Sequence, residues 1–210
     1  MHLRRLDMGK QKQAKQYFRL GEQYAEAAKL LLETLISSGN SNAGIGKNFE
    51  EAQQKMEENA SRSDLYLFIP AVFDCLQSIE LFIKGLLLLA DKNFKYSHGV
   101  EQLLGVLKDC YGEVSDVYKK VSSFYESQIE IIEKYKQVNE ISTSQDLYMS
   151  LRYPEIVLEP EKGKKKNINV DYAELFCNGK IGIEQFKVLL DSLEDIKLAT
   201  VKEYHTKVSS

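Results

Sequence analysis

Proline is nearly absent from this chain, with three residues, and glycine is held to 12. Collagen-like, proline-rich and strongly disordered classes are thereby excluded. Cysteine is scarce as well. Cys75, Cys110 and Cys177 form an odd set with no CxxC pair and no zinc-ligand spacing, so a reducing cytoplasmic setting is expected. Neither sign of charge dominates: 28 Lys and Arg stand against 31 Asp and Glu, a net charge of −3. No overall basic field draws the chain to nucleic acid, and any such contact needs a local patch. Long apolar runs are missing too. The most apolar segment, 65–90, carries Asp74, Glu80 and Lys84, and its run after Lys84 spans only Gly85 to Ala90. It reads as a buried helix, with no membrane partner expected. The basic residues Arg4 and Arg5 have no apolar stretch behind them, so no secretory signal is read.

What is present is an ordinary globular composition, 43% apolar over 210 residues, which predicts a single helical domain over 1–210. Tyr17, Leu20, Tyr24, Ala27, Ala28, Leu31 and Leu35 fall at three-and-four spacing and predict a helix over 14–36. The turn-forming stretch that follows predicts an exposed loop over about 37–47. Phe49, Ala52 and Met56 continue into a short outer helix. Asp64 is a candidate cap for a long helix to about Asp91, with Pro70 either kinking it or marking its first turn. On a helical wheel, Gln77, Glu80 and Lys84 share one narrow arc beside Asp74, while apolar residues cover most of the rest. A third helix is expected from Ser97 to Cys110, capped by Ser97 or His98 and ended by Gly112. The series from Val114 to Val138 recurs close to every 3.5 residues, broken by Gln128, and predicts a long helix with a bundle or dimer seam. A short helix near 145–151, an exposed loop over 155–170 and a final helix over 183–205 complete the chain. With no period-2 run long enough for a strand, the fold class is all-α, an antiparallel up-and-down helical bundle of about five main helices.

Few residues carry evident chemistry. His98 is the one histidine well inside the folded region; imidazole shuttles protons near neutral pH, yet at a helix start it can equally cap backbone donors. A Cys75 and His98 nucleophile pair lacks a visible third member. Di-metal helical bundles use Glu-x-x-His, but Lys95 and Lys202 stand three residues before His98 and His205. No metal or other cofactor is expected. Gly44-Ile45-Gly46-Lys47 fails as a phosphate loop, since Ser41 and Asn48 occupy the slots for the first glycine and the Ser/Thr. Lys162, Lys164, Lys165 and Lys166 could contact phosphates, or could balance Glu155, Glu159 and Glu161 within one loop. Glu80 and Lys84, four apart in the favourable order, form a helix pair. Their place on an otherwise apolar helix requires that they find partners.

The segments Cys75-Leu76-Gln77-Ser78-Ile79-Glu80-Leu81-Phe82-Ile83-Lys84-Gly85, Tyr96-Ser97-His98-Gly99-Val100-Glu101-Gln102-Leu103-Leu104 and Leu151-Arg152-Tyr153-Pro154 resemble the HEPN (higher eukaryotes and prokaryotes nucleotide-binding) domain. The resemblance covers about 64–154, with the 14–36 and 183–205 helices completing the bundle. It implies an up-and-down bundle that commonly forms a homodimer, in proteins that bind nucleotides, cut RNA or accompany nucleotidyltransferases in toxin–antitoxin and defence systems. The family's ribonucleases use an Arg followed four to six residues later by His. None of Arg4, Arg5, Arg19, Arg62 or Arg152 has a histidine at that spacing.

The resemblance therefore implies a non-catalytic nucleotide- or nucleic-acid-associated module whose nucleotide-binding residues would be Glu80, Lys84, His98, Arg152 and Tyr153. Lys84 and Arg152 could meet phosphates while Tyr153 stacks on a base; equally, Glu80, Lys84 and Arg152 could form a closed internal ion network. A diverged, metal-independent ribonuclease using His98 with Lys84 or Arg152, and a helical interaction or dimerisation module using the 113–138 seam, are the alternatives.

Overall fold

A computed structural model describes residues 8–39, 46–92, 94, 99–126, 129–161, 163–172 and 183–209. Eight helices and one hairpin appear among them: α1 (Met8–Ser37), α2 (Phe49–Ala60), α3 (Asp64–Leu89), α4 (Val100–Tyr111), α5 (Asp116–Glu126), α6 (Glu130–Val138), α7 (Ser144–Ser150), β1 (Glu155–Glu161), β2 (Lys164–Asn169) and α8 (Ile183–Ser209). The predicted all-α class is what the chain adopts. Its contacts cluster into two compact units, one of Met1–Glu26, Cys75–Ser127 and Asp191–Ser210, the other of Ala27–Asp74 and Gln128–Leu190. Helices α1, α3 and α8 contribute residues to both.

In the first unit, every α3 residue from Cys75 to Leu89 except Gln77 is buried. Two glycines let α1 approach this helix closely. A Cβ at Gly21 would lie 2.8 Å from the Phe82 ring, and one at Gly85 would lie 2.5 Å from the Phe18 ring. Each aromatic side chain thus occupies the space that a larger residue on the opposite helix would need. Tyr17, Phe18, Phe94 and Tyr204 pack around buried Ala14, Leu88 and Leu89, with Phe18 edge-on to Tyr204 at 5.5 Å. Helix α4 is held by Tyr111, whose hydroxyl donates to the Leu86 carbonyl at 2.7 Å, and ends at Gly112 with φ +81°. Gly99 is its N-cap, without a side-chain bond; Ser97 and His98, the predicted caps, lie outside the described residues.

The second unit is built around aromatic rings and one asparagine. Phe68 meets Tyr135 edge-on at 6.2 Å, and Tyr135 stacks on Tyr172 at 6.4 Å. Buried Asn139 accepts from the Asp171 amide at 2.6 Å and donates to the carbonyls of Asp171 and Tyr135, each at 3.1 Å. Asn48 caps α2 by accepting from the Glu51 amide at 2.8 Å. Asp64 is the first helical residue of α3, and Pro70 lies inside that helix rather than at its start.

Two expectations are corrected. The predicted long helix over 113–138 is two helices, α5 and α6, with Ile129 as the second N-cap. On either side of Gln128 the spacing serves a different core: Val117, Val121 and Phe124 are buried in the first unit and Ile131, Ile132 and Tyr135 in the second. Segment 155–170, expected as a loop, forms an antiparallel hairpin pairing Glu155 with Asn169 and Leu158 with Lys166. Its signal is short: Ile156 and Leu158 are buried and Val157 is exposed, the period-2 pattern of a half-buried strand. From this hairpin Lys166 pairs with Glu140, in the turn after α6.

The glycine contacts give a test. Ala is the better helix former by about 1 kcal/mol, yet Gly21→Ala is expected to lower stability by about 1–3 kcal/mol because the buried Phe82 ring must move. Adding Phe82→Leu should recover part of the loss in urea denaturation.

Candidate functional site

The predicted residues divide between the two units. Glu80 and Lys84 lie on α3 within the first. One helical turn apart, they place Lys84 Nζ 2.5 Å from Glu80 Oε1, with both residues buried, at 6% and 1% exposure. The ammonium also stands 5.7 Å from the centre of the Phe94 ring. Tyr125, behind them, has a buried hydroxyl with no hydrogen-bond partner among the described residues. Burial, and then the acidic groups of Glu80, Glu101 and Cys75, hold that phenol well above its ordinary pKa. Of the two readings of Glu80 and Lys84, this geometry favours the internal pair: a lysine so enclosed presents almost no surface to an outside phosphate.

Arg152 and Tyr153 belong to the second unit, where α7 gives way to β1. Thr143 starts α7 by accepting from the Asp146 amide at 3.0 Å, and the amides of Arg152 and Tyr153 close its end on the Met149 carbonyl at 3.1 and 3.0 Å. Tyr172 fixes the turn from outside by donating to the carbonyls of Ser150 and Tyr153 at 2.7 and 3.2 Å. On this scaffold the Arg152 guanidinium lies over two rings, 5.4 Å from Tyr148 and 5.3 Å from Tyr153. Tyr148 is itself buried and packed on Phe73 at 5.4 Å, whereas Tyr153 is 43% exposed. Arg152 is exposed, and its side chain makes no ion pair or hydrogen bond among the described residues. Its planar fork of N–H donors is therefore oriented by ring stacking and unmatched by any acceptor among those residues, which suits bidentate contact with a phosphate.

The structure thus brings Glu80 to Lys84 and Arg152 to Tyr153, each pair within its own unit. His98 lies outside the described residues. Of the lysine run, Lys164 to Lys166 form β2 with exposed side chains. Two residues escaped the sequence reading. Tyr148 precedes Arg152 by four residues, a legible helical spacing across a helix end. Tyr172, 19 residues from Tyr153, left no local signal. Among the described residues, no cluster of His, Cys, Asp and Glu is arranged to hold a metal ion, and no helix is long and apolar enough to cross a membrane.

Two substitutions probe this polar inventory. Lys84→Met leaves a buried carboxylate without its cation and should cost about 3–5 kcal/mol in denaturant unfolding, while Glu80→Leu with Lys84→Met should recover most of it. Asp74, half-buried on α3, has its carboxyl pushed up to about 6 by desolvation. Below the unfolded value near 3.8 the group is neutral in both states; as pH rises through 6 the folded state must ionise it, and stability is lost. Asp74→Asn should therefore raise stability at pH 7 by about 1–2 kcal/mol, discounted for solvent screening, and change little near pH 4. Thermal melts at the two pH values check this.

Comparison with known proteins bears on the same region. The HEPN domain matches residues 46–168, more than half of the chain. No curated protein and no solved structure matches it.

Proposed function

Because the chain belongs to the HEPN domain family, we propose that it is a non-catalytic module that associates with a nucleotide or with single-stranded RNA through Arg152 and Tyr153. One observation carries this reading: an exposed guanidinium, held on the faces of Tyr148 and Tyr153, with no acceptor among the described residues. The guanidinium takes a phosphate, and the exposed Tyr153 ring offers a face to a base. Such stacking tolerates any base, because every base has a π-face. Exposed Lys165 on β2 adds a sequence-independent charge for a longer strand. Glu80 and Lys84 are read as internal structure of the first unit, not as ligand contacts.

The non-catalytic part of the proposal rests on the missing Arg and His spacing. Family membership also supports a homodimer working beside a nucleotidyltransferase in a regulatory, toxin–antitoxin or defence setting.

Fluorescence polarisation with a labelled single-stranded RNA, and thermal melts with a panel of nucleotides, test the proposal together. Tyr153→Ala should weaken binding roughly fivefold or more, the low end of a stacking contribution of about 1–3 kcal/mol. Arg152→Ala should weaken it further and flatten its salt dependence. The RNA should remain intact. Cleavage that disappears in His98→Ala would instead make the protein a diverged ribonuclease, and unchanged affinity in both Arg152 and Tyr153 variants would remove this surface from the function.

A further inference from the structure

A second place in the molecule holds unmatched cations, and it lies wholly in the first unit. A cleft of about 300 Å³ opens among α1, α3 and α8. That volume is at the lower end of small-molecule sites and suits a single ring better than a large cofactor. Its walls are apolar and largely aromatic: Phe18 and Phe82, the two rings seated on the facing glycines, with Tyr204 and Val201 from α8.

Four charged side chains line the cleft, three cations and one carboxylate: Lys15, Arg19, Lys197 and Glu22. Lys197 is engaged, 2.5 Å from Glu26 and 3.9 Å from Glu22. Lys15 and Arg19 line it too, and among the described residues neither makes an ion pair or a hydrogen bond. They stand one helical turn apart on α1. Like charges at that spacing cost a helix about 0.2–0.5 kcal/mol, so nothing in the fold itself calls for the arrangement.

A buried polar group gives the cleft its third feature. Thr200 lines it at 2% exposure, and its Oγ1 has no hydrogen-bond partner. A buried hydroxyl left unmatched carries a desolvation cost that natural proteins normally avoid. A helical threonine ordinarily satisfies this atom on its own preceding turn, which Thr200 does not do.

From these three features we infer that the cleft is a binding site for a small aryl phosphomonoester, a dianionic phosphate carried on one flat apolar ring. The ring lies against Phe18, Phe82 and Tyr204. The phosphate meets Lys15 and Arg19, and Thr200 supplies a hydrogen bond once the ligand occupies the cleft. Charge selects the phosphate over a carboxylate. Lys15 and Arg19, whose side chains have no partner among the described residues, match a group of nearly two negative charges, whereas a second carboxylate beside Glu22 would leave one of them unmatched. This site is independent of the surface at Arg152 and Tyr153, which belongs to the other unit.

Calorimetric titration of the full chain with phenyl phosphate, benzoate, inorganic phosphate and benzyl alcohol tests the inference. Phenyl phosphate should bind one to one, about tenfold or more tighter than each of the other three, which carry only part of its chemistry. Arg19→Glu and Lys15→Glu alter exposed side chains and should each reduce that affinity about tenfold or more while leaving the thermal midpoint of the free protein nearly unchanged. Thr200→Val, close to isosteric, should reduce it severalfold, and Arg152→Ala should leave it intact. The inference is overturned if phenyl phosphate fails to saturate, if inorganic phosphate or benzoate binds equally well, or if Arg19→Glu leaves its affinity unaltered.

Discussion

Two aromatic rings seated on two glycines set how closely α1 and α3 approach one another in the first unit. Phe18 fills the space beside Gly85, and Phe82 fills the space beside Gly21. The contact is reciprocal, so neither helix can shift along the other without driving a ring into backbone. Much of that unit follows from it. Helix α3 is covered almost all round, its polar pair is forced inside, and Phe18 is placed where Tyr204 of α8 can meet it edge-on. The same two rings then form the apolar walls of the cleft.

Burying α3 dictates how its charges are handled. Glu80 and Lys84 share one arc of a helix with no solvent beside it, and each survives there because the other is a turn away. Nearer the surface several lysines are paired, as Lys10 is with Asp91 and Lys120 with Asp195. Exposed pairs of this kind contribute about 0–1 kcal/mol and explain little of the fold. More informative are the cations whose side chains have no partner among the described residues. Arg152 in the second unit lies over two aromatic rings, and Lys15 and Arg19 in the first line a cleft with aromatic walls. An exposed charge next to apolar surface is the combination that recognises an anion carrying a ring, and it arises here twice on unrelated scaffolds.

Much of the helical framework was legible in local spacing. The three-and-four pattern of Tyr17, Leu20 and Tyr24 and the dense series along α3 report helices because the period of the backbone is a local property. Gly112 marks the end of α4 for the same reason, since a positive φ is a demand of one residue. The hairpin was hidden because its alternation spans only Ile156 to Leu158, and its second strand is a run of lysines that reads as a solvated loop. The break between α5 and α6 left one local sign, the polar Gln128 in the apolar series. Spacing near 3.5 resumes after it, and the division of contacts reveals that Phe124 and Ile131 are buried in different surroundings.

The candidate sites divide along the same line. By itself the sequence determined the helical class, the polar arc holding Glu80 and Lys84, and the resemblance that pointed to Arg152 and Tyr153, since each depends on residues within about one motif of one another. Tertiary structure alone decided which of those groups face inward and which remain free. It buried Lys84 and left Arg152 exposed on its rings, with Tyr172 fixing the turn from 19 residues away. It also assembled Arg19, Phe82 and Thr200, from three distant stretches of chain, around one cleft. The physical reason is that burial and charge matching are properties of surroundings in space, whereas periodicity and turn geometry are properties of the chain.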